Sequence, residues 1–211
     1  MSQTLEEGLQ ILKLPYSDAQ LDQLKRYADL ILKWNKVYNL TAIRQREELI
    51  THHLLDCLAV LPVVGQYVDP QEQGDPRVLD VGAGAGLPGL VWAIMRPAWQ
   101  ITTIDTVQKK AAFMRQAAAN LGLHNVNVIH DRVEHLQDAS GFDVISSRAF
   151  SSMQLFVSLS EHLLALKGLY MALKGRKEVD SDIPSGWTLA GLEKIEVPFL
   201  PEERHLFVIK R

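Results

Sequence analysis

The chain has 211 residues, a formal charge of −3 and 47% hydrophobic residues, which suits one α/β domain with an extension or two small domains. So little net charge does not announce a nucleic-acid binder, and any such surface must be a local patch. The single cysteine, Cys57, permits no internal disulfide, and no CxxC or HExxH spacing offers a metal site. No basic stretch leads into an apolar core at the N-terminus and no apolar run reads as long enough to span a bilayer, so a cytoplasmic chain without a membrane partner is expected.

Thr4-Leu5-Glu6-Glu7 reads as a capping box opening a short helix through Leu9, Leu12 and Lys13, which Pro15 ends. Ser17-Asp18 opens a second helix. Its apolar positions Leu21, Leu24, Ala28 and Ile31 recur every three or four residues, with Tyr27, Trp34 and Tyr38 beside them. A third helix is expected over roughly 46–61, with Leu49, Ile50, His53, Leu54, Cys57 and Leu58 inward. Residues 1–61 thus read as an N-terminal helical extension packed on the core. Residues 62–76, which hold Pro62, Gly65, Pro70, Gly74 and Pro76, read as a surface connection.

From residue 77 to 211 the pattern alternates between strands and helices. Strands are expected at 78–81, 101–105, 126–129, 142–146 and 169–173, then at about 194–197 and 206–210. A helix over 108–121 carries Ala112, Phe113, Gln116 and Ala119 on one side and Gly122 as its C-cap, and a second covers about 153–166. Right-handed crossovers make this an α/β fold with a doubly wound, mostly parallel, Rossmann-like sheet, its ligand at the C-terminal strand ends.

The chain is organised around Leu79-Asp80-Val81-Gly82-Ala83-Gly84-Ala85-Gly86-Leu87-Pro88-Gly89. Glycine tolerates positive φ and lets a ligand approach the backbone closely. Gly84-x-Gly86-x-x-Gly89 matches the dinucleotide spacing, which would suit an NAD-dependent oxidoreductase. Gly82-x-Gly84-x-Gly86, with Asp80 two residues earlier, is the methyltransferase version, and its phase against the strand favours it. Asp80 would then stand at a strand tip, where a carboxylate can hold an ammonium such as that of S-adenosylmethionine. Pro88 fits an early helix position.

Asp105 ends the second strand about twenty residues past the glycines, where an acid meets ribose hydroxyls or simply caps a helix. Val133 and Glu134 follow the third strand, where backbone and carboxylate could meet an adenine, or where Glu134 is a plain helix-start acid. Arg148 ends the fourth strand and suits a phosphate, a carboxylate or a base edge, or is a solvated rim charge. Phe150 could stack on a flipped base or plug the loop. Lys109, Lys110, Lys174, Arg176, Lys177, Arg204 and His205 could bind phosphates from one face, or be ordinary charged surface. His52, His53, His124 and His130 lack metal spacing and read as packing or surface residues.

No Asn-Pro-Pro-aromatic sequence follows the fourth strand, and Cys57 precedes the core, so exocyclic amines and pyrimidine C5 are disfavoured as methyl acceptors. A guanine N7 or a 2′-hydroxyl remains. N7 carries an in-plane lone pair and no proton, so its methylation needs alignment and charge management and no general base. No residue is therefore assigned as a base, and Arg148 is the best catalytic candidate.

Trp34-Asn35-Lys36-Val37-Tyr38-Asn39-Leu40-Thr41, His53-Leu54-Leu55-Asp56, the glycine stretch ending Gly86-Leu87-Pro88-Gly89, Ser147-Arg148-Ala149-Phe150, Ala172-Leu173-Lys174-Gly175 and Glu203-Arg204-His205-Leu206 run in one order along nearly the whole chain. In this the sequence resembles the bacterial glucose-inhibited division protein B (GidB) family, the 16S ribosomal RNA guanine-N7 methyltransferases also called RsmG. The resemblance implies a Rossmann-like fold using S-adenosylmethionine and transfer to N7 of one guanosine of 16S rRNA, with the small ribosomal subunit or its precursor as partner and a monomer expected. It implies Gly82 and Leu87 on the methionine side of the cofactor, Asp105 on the ribose, Val133 and Glu134 at the adenine and Arg148 at the cofactor–substrate junction. Lys174, Arg204 and His205 match family positions around the RNA entrance. Ala85 stands where many relatives have proline, and residues 70–76 look longer than the usual connection. A non-catalytic ribosome-assembly factor on the same fold is the second rival reading.

Overall fold

The computed structural model describes residues 3–68, 75–148, 150, 152–175 and 183–211. Three helices come first: α1 (Gln3–Ile11), α2 (Asp18–Tyr38) and the long α3 (Arg46–Tyr67). Then follow β1 (Arg77–Val81), α4 (Gly89–Met95), β2 (Gln100–Asp105), α5 (Gln108–Leu121), β3 (Val126–His130), β4 (Phe142–Ser147), α6 (Met153–Ser160), β5 (Leu164–Lys174), β6 (Thr188–Ile195) and β7 (Arg204–Lys210). The seven strands lie in the order β3-β2-β1-β4-β5-β7-β6. The first five are parallel, and β7 inserts antiparallel between β5 and β6. The dinucleotide fold continues 3-2-1-4-5-6, so this sheet departs from it at its far edge.

The expected doubly wound sheet is therefore present, and its C-terminal edge carries the glycine bend after β1. Adjoining it are Asp105 after β2, Arg148 after β4, Lys174 at the end of β5 and Arg204 at the start of β7. Alternation along β1 explains the layering. Val78 packs with the N-terminal helices, α4 and α5 on one face, while Leu79 and Val81 pack with α6 on the other.

Helix α2 docks through its polar side chains as well as its apolar ones. Ser17 and Gln20 form a reciprocal capping box. Gln20 Nε2 then donates to Ile94 O at the end of α4, and Gln23 Nε2 to Leu121 O at the end of α5. These carbonyls are the ones a helix C-terminus leaves without intrahelical partners, so α2 closes two helix ends at once.

Several expected boundaries are corrected. Gln3 and Thr4 both lie inside α1, so Thr4 is not its cap. The third helix continues past residue 61 to Tyr67, so residues 62–67 are helix and not connection. Pro62 sits in the first turn of that last segment, where its missing N–H costs nothing. Residues 69–74 of the expected connection lie outside the described residues. By length and composition α3 could cross a membrane, contrary to the expectation of no such run, yet 61% of its most apolar window is buried in the protein, as in a core helix. α6 ends at Ser160, whose hydroxyl donates back to Phe156 O, and a 3-10 turn, Glu161–Leu163, leads into β5. The apolar residues 163–166 suit either period, and pairing of Phe142 with Leu164 decides for strand. In α5 the buried side holds Ala111, Phe113, Met114, Ala117 and Ala118, so Ala112, Gln116 and Ala119 face outward. An alanine-rich helix marks its phase weakly.

The candidate cofactor pocket and its rim

The bend after β1 is built from three residues in left-handed backbone, with φ of 68° at Gly82, 62° at Gly84 and 85° at Gly86. An L side chain at such positions costs roughly 1–2 kcal/mol. Ile104 O accepts from the N–H groups of Gly82 and Ala83, which ties the bend to β2. From the other side Tyr27 of α2 donates its hydroxyl to Ala85 O and lies 3.1 Å from Gly86 O. A Cβ on Gly86 would stand 2.6 Å from Leu90 Cδ1 and 3.1 Å from that hydroxyl, so helix and bend touch without spare room.

Asp80 is fully buried beneath the bend. Its Oδ2 accepts from Gly89 N at 2.8 Å, while Oδ1 has no protein partner. Burial pushes its carboxyl up to about 7, against the opposing pull of the Gly89 N–H and the Arg148 charge. The carboxylate expected to hold a ligand ammonium thus fixes the start of α4. Pro88 stands one place earlier than expected, at the N-cap of that helix.

On the α6 side of the sheet edge lies a cavity of about 330 Å3, within the range of small-molecule sites. It is lined by Val81 and Gly82 from the bend, Ile104 to Val107 and Lys110 beside β2, Asp131 to Glu134 after β3, and Phe150 and Leu159. Asp105 Oδ2 accepts from Gly84 N and Oδ1 from Val107 N, both at 2.9 Å, with Lys110 Nζ 3.8 Å from Oδ2. The carboxylate therefore caps the following turn and also faces the cavity, where each oxygen keeps a second lone pair. Glu134 lies across the cavity, paired with Arg132 Nε at 2.7 Å. Its backbone and Arg132 hydrogen bonds hold the Glu134 carboxyl below its ordinary range. Phe150 stacks on Phe156 with centroids 5.1 Å apart and forms an apolar wall.

The structure thus brings Gly82, Asp105, Val133 and Glu134 to one cavity, with Gly84 joined to it through Asp105. Asp80, Leu87 and Arg148 are not part of its lining. Its three carboxylates, apolar walls and closely approaching glycine suit an adenosine: hydroxyl acceptors at one end, a flat apolar slot at the other.

Arg148 faces the N-terminal helices. Its Nη1 donates to Cys57 Sγ at 3.0 Å, and its Nη2 lies 3.3 Å from Asp56 Oδ2 and 3.5 Å from His53 Nδ1. Burial raises the Cys57 thiol to about 12, so it is neutral, and Asp56 supplies the counter-charge. His53 Nδ1 lies 2.9 Å from His52 O, and a carbonyl can only accept, so that nitrogen carries the proton. Nε2 then accepts from Thr41 Oγ1 at 2.7 Å. Burial, with the Arg148 charge second, lowers His53 to about 4 and keeps the ring neutral. Thr41 N donates in turn to Asn35 Oδ1, and Asn35 Nδ2 donates to Ile43 O.

This network is what the sequence reading missed. It took His53 for packing or surface and gave Asp56 no role. The signal that could have found them is the polar residues His53 and Asp56 within an otherwise apolar helical stretch. A π-helical segment, Ile50–Leu55, interrupts α3 just before Asp56. Such segments often mark functional sites.

At the outer rim Lys174 lies over the Phe207 ring, 5.8 Å from its centroid, and Arg204 Nε donates to Asp56 Oδ1 at 3.0 Å. His205, expected at the RNA entrance, is instead buried within β7, 7% exposed, and pairs across the sheet with Lys174. Arg176 and Lys177 lie outside the described residues. Among the described residues no cluster could hold a metal ion.

Residues 20–207 match the GidB family, described as rRNA small subunit methyltransferase G. The chain is 47% identical over 208 residues to the ribosomal RNA small subunit methyltransferase G of Ralstonia nicotianae, covering 97% of this chain and 93% of that protein. It is 46% identical over 217 residues to the protein of the same name from Cupriavidus necator, covering 98% and 93%. Among solved structures it is similar in fold to a SAM-dependent methyltransferase from Aquifex aeolicus, at 16% identity and a TM-score of 0.51, over 70% of this chain and 93% of that one.

Proposed function

The chain belongs to the GidB family of rRNA small subunit methyltransferases G, and from that premise we propose how its residues divide the work. The enzyme transfers a methyl group from S-adenosylmethionine to N7 of a guanosine in 16S rRNA. When bound, the cofactor supplies an electrophilic methyl on a sulfonium. Asp105 would accept from the ribose hydroxyls, and Val133 and Glu134 would meet the adenine. Gly82 would let the ligand lie against the backbone, and Leu87 and the bend would border its methionine end. The observation that carries this assignment is the joining of Gly82, Asp105, Val133 and Glu134 in one cavity beneath a three-glycine bend.

The chemistry asks little of proton-transfer groups. Guanine N7 would accept the methyl group through a lone pair that carries no proton, so the base would become positively charged with no proton to remove. His53 is neutral and its Nε2 is taken by Thr41. What the chain contributes is alignment and charge balance. Arg148, at the rim between cavity and helices, has its charge offset by Asp56, so it can orient a base or phosphate without strongly opposing the cation that forms on guanine. Lys174 and Arg204 would hold RNA phosphates at the same edge, and the buried His205 would support that edge from within the sheet. We read the enzyme as a cytoplasmic monomer acting on the small subunit. Mapping of labelled methyl groups on small subunits from a strain lacking the modification tests the reading. Label at a single N7-methylguanosine of 16S rRNA is expected, and label at another base atom would overturn it.

A further inference from the structure

Asp56 sits at 6% exposure between two arginines that come from different strands at the same sheet edge. Arg204 Nε, from the first residue of β7, meets its Oδ1 at 3.0 Å. Arg148 Nη2, just past β4, meets its Oδ2 at 3.3 Å. Roughly a quarter of each arginine side chain stays in solvent, 22% for Arg148 and 24% for Arg204, against 8% for Asp56. The three residues therefore carry one net positive charge, with the carboxylate behind and the guanidiniums in front. A Cβ on Gly175 would lie 3.8 Å from Arg204 Nη1, so the group also adjoins the end of β5, where Lys174 stands.

Stability alone is a poor reason for this arrangement. Desolvating a carboxylate between two cations costs about what the pairing returns, and apolar packing would serve as well. Two unlinked guanidiniums at one edge would also repel each other and move apart. One carboxylate that engages a different oxygen with each fixes their separation and aim.

We propose that Asp56 is a positioning residue for RNA: it holds Arg148 and Arg204 as a fixed fork whose exposed side takes a backbone phosphate beside the target guanosine. This rests on the assignment of the chain as an rRNA methyltransferase and adds to it the residue that sets the RNA-facing geometry. Asp56 touches neither cofactor nor base and acts through the two arginines.

The test uses the full chain, small ribosomal subunits lacking the modification, and tritiated S-adenosylmethionine, with S-adenosylhomocysteine affinity measured separately. Asp56→Asn is expected to lower kcat/KM for subunits roughly 10- to 100-fold, mainly through KM, with S-adenosylhomocysteine affinity within about twofold of wild type. Asp56→Glu is expected to recover part of the loss. The slope of log affinity for 16S rRNA against log salt is expected to fall by roughly 0.7–0.9, one phosphate contact, in both Asp56→Asn and Arg204→Gln. The double variant should lose less than the sum of the two single losses, because Arg204 acts through Asp56 while Arg148 depends on it separately. Wild-type kinetics in Asp56→Asn, additive losses in the double variant, an unchanged salt slope, or a matching fall in S-adenosylhomocysteine affinity would overturn the proposal. If Asp56→Asn does not fold, Arg204→Lys decides, because lysine keeps the charge and loses the fork. A loss like that of Arg204→Gln supports the proposal, and wild-type behaviour refutes it. Absence of methyl transfer by the wild-type enzyme would count against the enzymatic assignment, and the salt slopes for rRNA binding would still test the fork.

Discussion

Tyr27→Phe removes one oxygen from the joint between α2 and the glycine bend. The ring is fully buried and stacks on Phe113 with centroids 6.5 Å apart, and that packing survives the change. What is lost is the hydroxyl that donates to Ala85 O and lies beside Gly86 O. A buried carbonyl left without a donor costs about 1–3 kcal/mol. For a chain of this size each kcal/mol moves the thermal midpoint by about 2–4 °C, so a drop of roughly 2–12 °C is expected in a calorimetric scan. The carbonyl released, Ala85 O, belongs to the bend itself, while Gly86 O keeps the Leu90 N–H, so S-adenosylhomocysteine affinity by titration calorimetry should fall severalfold as well. A variant that melts within a degree of wild type and binds S-adenosylhomocysteine as tightly would show that the N-terminal helices do not hold the cofactor loop.

Gly82→Asp places a charged side chain at φ 68° in the wall of the cavity, and titration calorimetry should detect no cofactor binding; undiminished affinity would remove the bend from the site. Arg148→Ala should cut the single-turnover rate at least about tenfold while far-UV circular dichroism shows the fold retained; an unchanged rate would end its role at the junction. Asp80→Asn should flatten a pH dependence. The folded carboxyl titrates at about 7 and the unfolded one near its ordinary 3.8, so between those values the folded state keeps a proton the unfolded state has lost. Stability from this group therefore falls as pH rises through the window. The neutral amide lacks that penalty, so by denaturant titration the variant should gain on wild type by about 2–3 kcal/mol between pH 5 and pH 8; a constant difference would mean that Asp80 ionises normally.

The core strands and the bend were legible because short β-branched runs, three alternating glycines and a following acid each have one structural solution. Ser17-Asp18 at the start of α2, and Gly122 as C-cap of α5, announced helix ends for the same reason. The end of α3 was not legible, since Pro62 breaks a helix or begins one with equal ease, and only the packing of Leu61 and Val64 decides. Candidate cofactor positions were legible from their offset to the strands, which is why Asp105 and Glu134 share one cavity. The Arg148 network was not. Asp56 and Arg204 are separated by 148 positions, and nothing local marks a charged residue on a buried helix as the partner of an arginine so far along the chain. For His205, the Glu203-Arg204-His205 cluster suggested surface, but β7 is an inner strand between β5 and β6, covered on both faces from its second residue on.

The most direct test of the account is a crystal structure with S-adenosylhomocysteine. The adenine should lie by Val133 and Glu134, the ribose hydroxyls on Asp105, and the amino-acid end along Gly82 and Leu87. Ligand density elsewhere, with this cavity empty, would contradict it.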